Sequence, residues 1–300
     1  MLKAMQNWHR PLVVFGWAMV ALIPIALVGL VVDDRTVMNS PIWLKPFKFA
    51  VSLALYSFTL AWLLTFLKRF QRVGWWAGTV LTVAGAAEMV VIVGQVIRGK
   101  RSHFNFETPL DTALFSIMGS TIVVLWVTHA IVAILLWRTD IENKAFSWSI
   151  RLGLVISFLG LGVGFLMTSP KPGQALDGDT LGSHTIGAAD GGAYMPITGW
   201  STEHGDLRIG HFVGMHALQV LPLLILLAGR WANTRFAWVL SGGYLGMTLL
   251  VTWQALRGQS LIKPDALTLI VAAAVLAATA LGVLWSRQPS KGTKKEYTLA

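Results

Sequence analysis

The sequence predicts an all-α polytopic membrane protein, with eight transmembrane helices arranged as two tandem four-helix units. Three observations predict it. The 300 residues are 55% hydrophobic and only 13% charged, whereas a soluble domain carries about a quarter charged residues. Mean hydropathy is +0.63, and the apolar residues come in long blocks rather than in alternation. Finally, short stretches of the first half recur in the second.

A hydrocarbon core needs about 20 apolar residues per helix. Eight segments meet that length: 11–32, 47–67, 74–97, 112–137, 149–168, 210–229, 235–256 and 264–286. The first could pass for a secretory leader. It is too long for one, however, and Asp33, Asp34 and Arg35 follow it in place of a small-residue cleavage site, so a retained helix is expected. Residues 33–46 form a loop with Asp33, Asp34, Trp43 and Lys45, and 169–209 form a Gly-rich polar insertion longer than a simple connector. Gly runs at 74–78 and 160–164 permit close helix approach.

Basic residues set the orientation. With the N-terminus inside, 14 of the 24 Lys and Arg face the cytoplasm, among them Lys68, Arg69, Arg72, Arg138, Lys144, Arg151, Lys291, Lys294 and Lys295. A cell-membrane, multi-pass protein with both termini cytoplasmic is expected. The net charge of +10 is carried mostly by these short loops, with no basic, aromatic-interleaved soluble stretch, so nucleic acid is excluded as a partner. The absence of cysteine excludes disulfides, thiolate metal sites and cysteine nucleophiles.

The internal similarity is specific. Leu44, Lys45, Phe49, Ala54 and Leu55 match Leu207, Arg208, Phe212, Ala217 and Leu218, with Lys48 opposite His211. Gln-x-x-Arg-Gly occurs at 95–99 and again at 254–258, and Pro109 lies opposite Pro264. Residues 1–145 and 146–286 are therefore expected to be two copies in the same orientation, the second carrying the outer loop 169–209, with a basic cytoplasmic tail at 287–300.

Polar residues concentrate at the outer ends of the helices. Glu88 and Gln95 are seven residues apart on the third helix, which ends in Arg98; the seventh ends in Gln254 and Arg257. His211, His216 and Gln219 occupy the sixth helix. His103, His184, His204, Asp206 and Arg208 lie in nearby loops, and His129 sits nearer the cytoplasm as a structural group. A carboxyl at lipid depth is costly unless paired, protonated or hydrated, which makes Glu88 the candidate catalytic or proton-carrying group. His211 and His216 are five residues apart, about 140° around a helix, and so are poorly set to share a metal from one helix. Arg98 and Arg257 are explained by snorkelling to headgroups, or, in a sharper reading, by clamping an anion together with Gln95 and Gln254. Ser183 and His184, with Asp179 nearby, are adjacent loop residues and make a weak serine triad.

Two tandem four-helix units with histidines toward the outer face resemble the architecture of haem A synthases. That resemblance implies a haem held by histidine pairs, although the second and eighth helices here contain no histidine to supply them. The motifs RGKRSHFNFETPLD and GDLRIGHFVGMHALQVLP resemble those of an uncharacterised family of bacterial eight-helix membrane proteins. Four readings result. The first is a haem-binding or redox enzyme, with His211 or His216 as ligand, Arg98 and Arg257 as anion partners and Glu88 for protons. The second is a proton-coupled transporter. The third is a hydrolase or lyase using zinc or another metal on His204, His211 and His216 with Glu88. The fourth is a structural subunit. The lipid bilayer and a small lipophilic or anionic ligand are the expected partners.

Overall fold

The computed structural model describes residues 2–171, 174–176 and 178–288. The tail from 289, with Lys291, Lys294 and Lys295, lies outside the described residues. Seven helices are long and apolar enough to cross a bilayer: α1 (Arg10–Val32), α2 (Leu44–Leu63, extended by a 3-10 turn to Phe66), α3 (Gln71–Arg98), α4 (Pro109–Trp137), α5 (Lys144–Thr168), α8 (Thr234–Leu256) and α9 (Ala266–Ser286). An eighth crossing is a bent pair, α6 (Leu207–Met215) and α7 (Ala217–Ala228), turned by 47°. The chain is a multi-pass α-helical membrane protein.

Side-chain caps start these helices where the sequence changes character. Thr108, Asn143, Asp206, Asn233 and Asp265 accept backbone N–H groups at the heads of α4, α5, α6, α8 and α9. His9 does the same for α1, its Nδ1 accepting from the Leu12 amide, while its Nε2–H donates to the Trp75 carbonyl at 2.8 Å and ties α1 to α3.

Helices of each half pack mainly with one another, in a matching pattern. α1 lies along α2 and α3 along α4; α5 lies along α6 and α7, and α8 along α9. The ends of α3 and α8 are built alike. Gly99 (φ 71°) and Gly258 (φ 75°) turn the chain left-handed after each helix. The Gln95 amide donates to the Arg101 carbonyl, and the Gln254 amide to the Ser260 carbonyl, each six residues on. Arg98 then pairs with Asp111 at the head of α4, and Arg257 with Asp265 at the head of α9.

The predicted helix 210–229 is not continuous. It begins three residues earlier and breaks at His216, where the capping geometry of α6 gives way to α7. The break is supported by its neighbours. Ser157 donates to the Met215 carbonyl at 2.9 Å and Tyr244 to the Val213 carbonyl at 2.6 Å, so irregular backbone at membrane depth keeps its partners. A Cβ on Gly160 or on Gly214 would overlap the other's backbone, which is why α5 and α6 cross so closely there.

Toward the end where α1 begins and α9 ends, a core of Leu12, Leu60, Leu63, Val132, Leu136, Ile150, Leu154 and Leu218 fills the bundle. At the opposite end the segments between helices form a lid. There β1 (Thr36–Val37) and β2 (Ser40–Pro41) make a hairpin whose two turn residues, Met38 and Asn39, both have positive φ. β3 (Thr185–Ile186) pairs with β4 (Gly205–Asp206) to close the long insertion.

Candidate functional site

Beneath the lid lies a cavity of about 590 Å³, walled by α2, α3, α4, α5 and α6. Its body is apolar: Phe49, Tyr56, Ile92, Phe104, Phe115, Met118, Trp126, Leu161, Phe165 and Met215. Charged and imidazole side chains also line it, Lys45, Lys48, Glu88, Arg101, His103, His184, Asp190, His204, Arg208 and His211 among them.

The lid is fastened from both sides. Lys48 donates to the Thr198 carbonyl at 2.6 Å and Arg208 to the Gly199 carbonyl at 2.6 Å, while Arg208 also grips the fully buried Asp206. Ser260 reaches the Ser201 carbonyl, and Arg101 the Asp179 carbonyl. Asp190 is the knot of the insertion. Its Oδ1 accepts from the Ser183 hydroxyl and the Thr185 amide, and its Oδ2 from the His184 amide and, at 2.7 Å, the His184 Nδ1–H.

Burial alone would raise the Asp190 carboxyl, but the charge and hydrogen bonds of His184, with a smaller effect of Thr185, hold it far below the usual carboxylate range. Burial lowers His184, with Arg208 adding to the effect and Asp190 opposing it. Each partner's charge bears on the other, and the direction that stands on geometry is that of Asp190, on which four donors converge. The arrangement is an ionised Asp190 orienting a histidine of the cavity wall. Ser183 sends its proton to Asp190 rather than to His184, so Ser183, His184 and Asp179 form no triad. Burial pushes His103 well below its ordinary value, and Lys45, His184 and His211 act in the same direction.

Several groups facing the cavity lack part of their complement among the described residues, Glu88, His211 and Lys45 among them. Glu88 is 2% exposed; its Oε1 accepts from Thr121 at 2.8 Å and its Oε2 has no partner. His211 donates from Nδ1 to the Gly160 carbonyl at 2.8 Å, which leaves Nε2 as an acceptor toward the cavity. Lys45 forms no hydrogen bond or ion pair, and its ammonium lies 5.9 Å from the Phe49 ring centre.

The structure brings Glu88, His204 and His211 to the cavity and moves the other expected site residues off it. His216, at the helix break, is hydrogen-bonded through Nε2 to Ser52 at 3.3 Å and is not part of the wall, so Glu88 and His216 do not share a pocket. Gln95, Arg98, Gln254 and Arg257 are taken up in closing helix ends, with Arg257 also stacked 4.5 Å from the Trp253 ring, and the anion clamp expected of them is not formed. The zinc set His204, His211 and His216 fails for the same reason, since His216 is turned to Ser52; among the described residues no three His, Asp or Glu side chains gather as metal ligands. His129 is fully buried, accepts from Tyr56 and donates to the Leu154 carbonyl, a bond network within the core.

The sequence assigns no site role to Lys45, Lys48 or Asp190, and it sets His103 and His184 among the polar residues of the outer loops without pairing His184 with Asp190. The internal similarity held a signal for two of them, because Lys45 and Lys48 stand opposite Arg208 and His211, and all four line the cavity. Asp190, in the middle of the Gly-rich insertion, gave none.

The fold and site define a helical membrane protein with a lidded, cation-rimmed cavity. No protein-family model matches this chain, and no curated protein or solved structure matches it.

Proposed function

We propose that this protein holds an anionic amphiphile, a molecule with an acidic head and a large apolar body, in a cavity opening toward the outer face of a cell membrane, with both termini cytoplasmic. The observation that carries the reading is Lys45. An ammonium inside a largely apolar cavity is costly to leave unpaired, whereas Arg208 is already paired with Asp206 and Lys48 is bonded to the lid. An acidic head beside Lys45 supplies the missing partner, and the aromatic and aliphatic wall takes the body. Haem propionates and a lipid phosphate or carboxylate share this chemistry. For haem, the open Nε2 of His211 is the ligand, and Lys45, Lys48 and Arg208 replace Arg98 and Arg257 as propionate partners. His184, oriented by Asp190, and Glu88 are the groups placed to exchange protons with the bound molecule.

The same reading takes residues 1–145 and 146–286 as copies, which puts Lys45 and Arg208 at equivalent positions on the two walls. A transporter is less well supported, because the apolar core fills the bundle beneath the cavity. The test is purification in mild detergent, followed by absorbance spectroscopy and mass spectrometry of extracted lipids. A Soret band or a stoichiometric acidic lipid, lost in Lys45→Met, is expected. A preparation that carries neither and takes up neither, or a Lys45→Met variant that binds as well as the parent, overturns the reading.

A further inference from the structure

Part of the cavity wall consists of residues exposed on the outside of the helix bundle. Along α4, Phe115, Met118, Ile122 and Leu125 face inward, but Ser116, Gly119 and Val123 also line the cavity, one step around the helix on the side away from the α3 contacts of Met118 and Thr121. Ser116 is exposed and Val123 is 47% exposed. A Cβ on Gly119 would meet nothing within 4 Å. Across from them on α5 stand Phe165 and the exposed Thr168. The gap ends at Trp126, whose ring stacks on Phe158 at 4.2 Å and whose Nε1–H donates to the Phe158 carbonyl at 3.0 Å. A second opening lies under the lid, where exposed Ala188, Ala189 and Gly191 line the cavity near Met38.

We infer that the slot between α4 and α5, bounded below by Trp126, admits the hydrocarbon tail of an acidic lipid from the leaflet on the lid side, with its head reaching Lys45. The inference rests on the anionic-amphiphile reading and adds its source and route. A ligand entering from water needs only the opening at Ala188–Gly191. A membrane lipid needs an apolar gap at bilayer depth that is continuous with a cationic chamber, and the α4–α5 slot supplies it. Hydrocarbon in the slot replaces lipid contacts with wall contacts and leaves no polar group of the wall unbonded, since Ser116 already donates to the Thr112 carbonyl and Trp126 to that of Phe158.

The test uses the full chain with the slot narrowed from its rim, as Ser116→Trp and, separately, Val123→Trp, and with Lys45→Met as the head-site variant. Two probes are compared: a long-chain alkyl phosphate carried in phosphatidylcholine vesicles and a short-chain alkyl phosphate added in water. Both rim variants are expected to slow uptake of the long-chain probe by about tenfold or more while leaving short-chain affinity within about twofold, and Lys45→Met to weaken both. Unchanged long-chain uptake in both rim variants overturns the slot and leaves the amphiphile reading standing. Equal loss of both probes in folded rim variants also overturns it, because the cavity itself would then have been blocked. Full binding of both probes by Lys45→Met overturns the amphiphile reading instead. Far-UV circular dichroism and the thermal transition establish that each variant is folded.

Discussion

Replacing Gly214 by Ala tests the crossing that shapes the site. The new Cβ would lie 2.5 Å from the Gly160 Cα and 3.0 Å from Thr248 Cγ2. Carbon atoms rest about 3.5–4.0 Å apart, so α5 and α6 must part by about 1 Å. Two hydrogen bonds span that crossing, His211 Nδ1–H to the Gly160 carbonyl at 2.8 Å and Ser157 to the Met215 carbonyl at 2.9 Å, and neither survives such a shift. Overpacking costs about 1–3 kcal/mol, and each lost bond about 0.6 kcal/mol on the scale measured between membrane helices. The sum is about 2–4 kcal/mol, or roughly 4–8 °C at ~2 °C per kcal/mol for a larger chain. The assay is the thermal transition in detergent, with Gly119→Ala as a control whose Cβ meets open space. A Gly214→Ala transition that matches the control refutes the account of the crossing. Because the same shift frees the His211 ring, ligand binding is expected to fall together with stability.

The two helix-end pairs should differ in strength. Asp111 is fully buried and accepts from Gln95, Arg98 and Thr108, so Arg98→Ala is expected to cost about 3 kcal/mol or more, whereas Arg257→Ala removes a pair with both partners about a third exposed and should cost under about 1 kcal/mol; denaturation midpoints in detergent compare them. Tyr56→Phe leaves the buried His129 Nδ1 without its donor and is expected to cost about 1–3 kcal/mol, read in the same assay. His103 titrates well below its ordinary 6.5. Above that value both folded and unfolded chains hold it neutral; below it only the unfolded chain gains the proton. Stability should therefore fall as pH drops from 6.5, at up to about 1.4 kcal/mol per pH unit from this group, and His103→Phe, among Phe49, Phe104 and Phe115, should flatten that limb of the stability–pH curve.

The helices could be read from the sequence because lipid forces each crossing to be long and apolar, and each predicted segment falls on an observed one. The break at His216 could not, since 210–229 is long and apolar enough to cross in one piece, and His211, His216 and Gln219 within it are not helix breakers. What permits the break is Ser157 and Tyr244, far away in sequence, donating to the carbonyls it frees. Among site residues, Glu88 stood out because a carboxyl at lipid depth has few innocent roles. Gln95, Arg98, Gln254 and Arg257 also stood out, but for another reason: a helix ending at a glycine turn needs its last carbonyls and the next helix head tied together, and that task selects the same residue types as anion binding. In the sequence Lys45 and Lys48 stand out only as positions of the internal similarity, and only a folded lid over them turns such cations into cavity walls.

The matched pairs give a physical reason for the site's asymmetry. Lys45 and Arg208 begin helices at the matched leucines Leu44 and Leu207, yet Arg208 is neutralised by Asp206 while the residue preceding Leu44 is Trp43, whose indole donates to Asp33 at 2.8 Å. The acid that pairs the second cation thus has no equivalent beside the first, and Lys45 forms no ion pair among the described residues. Further along, α2 runs straight through Leu53 where α6 stops at His216. The straight helix carries Lys45, Lys48 and Ser52 down one wall, and the broken one ends its short first segment at Met215, turning His211 against α5. A site with a free cation on one side and an oriented imidazole on the other follows from two equivalent helix starts that differ in one acid and one break.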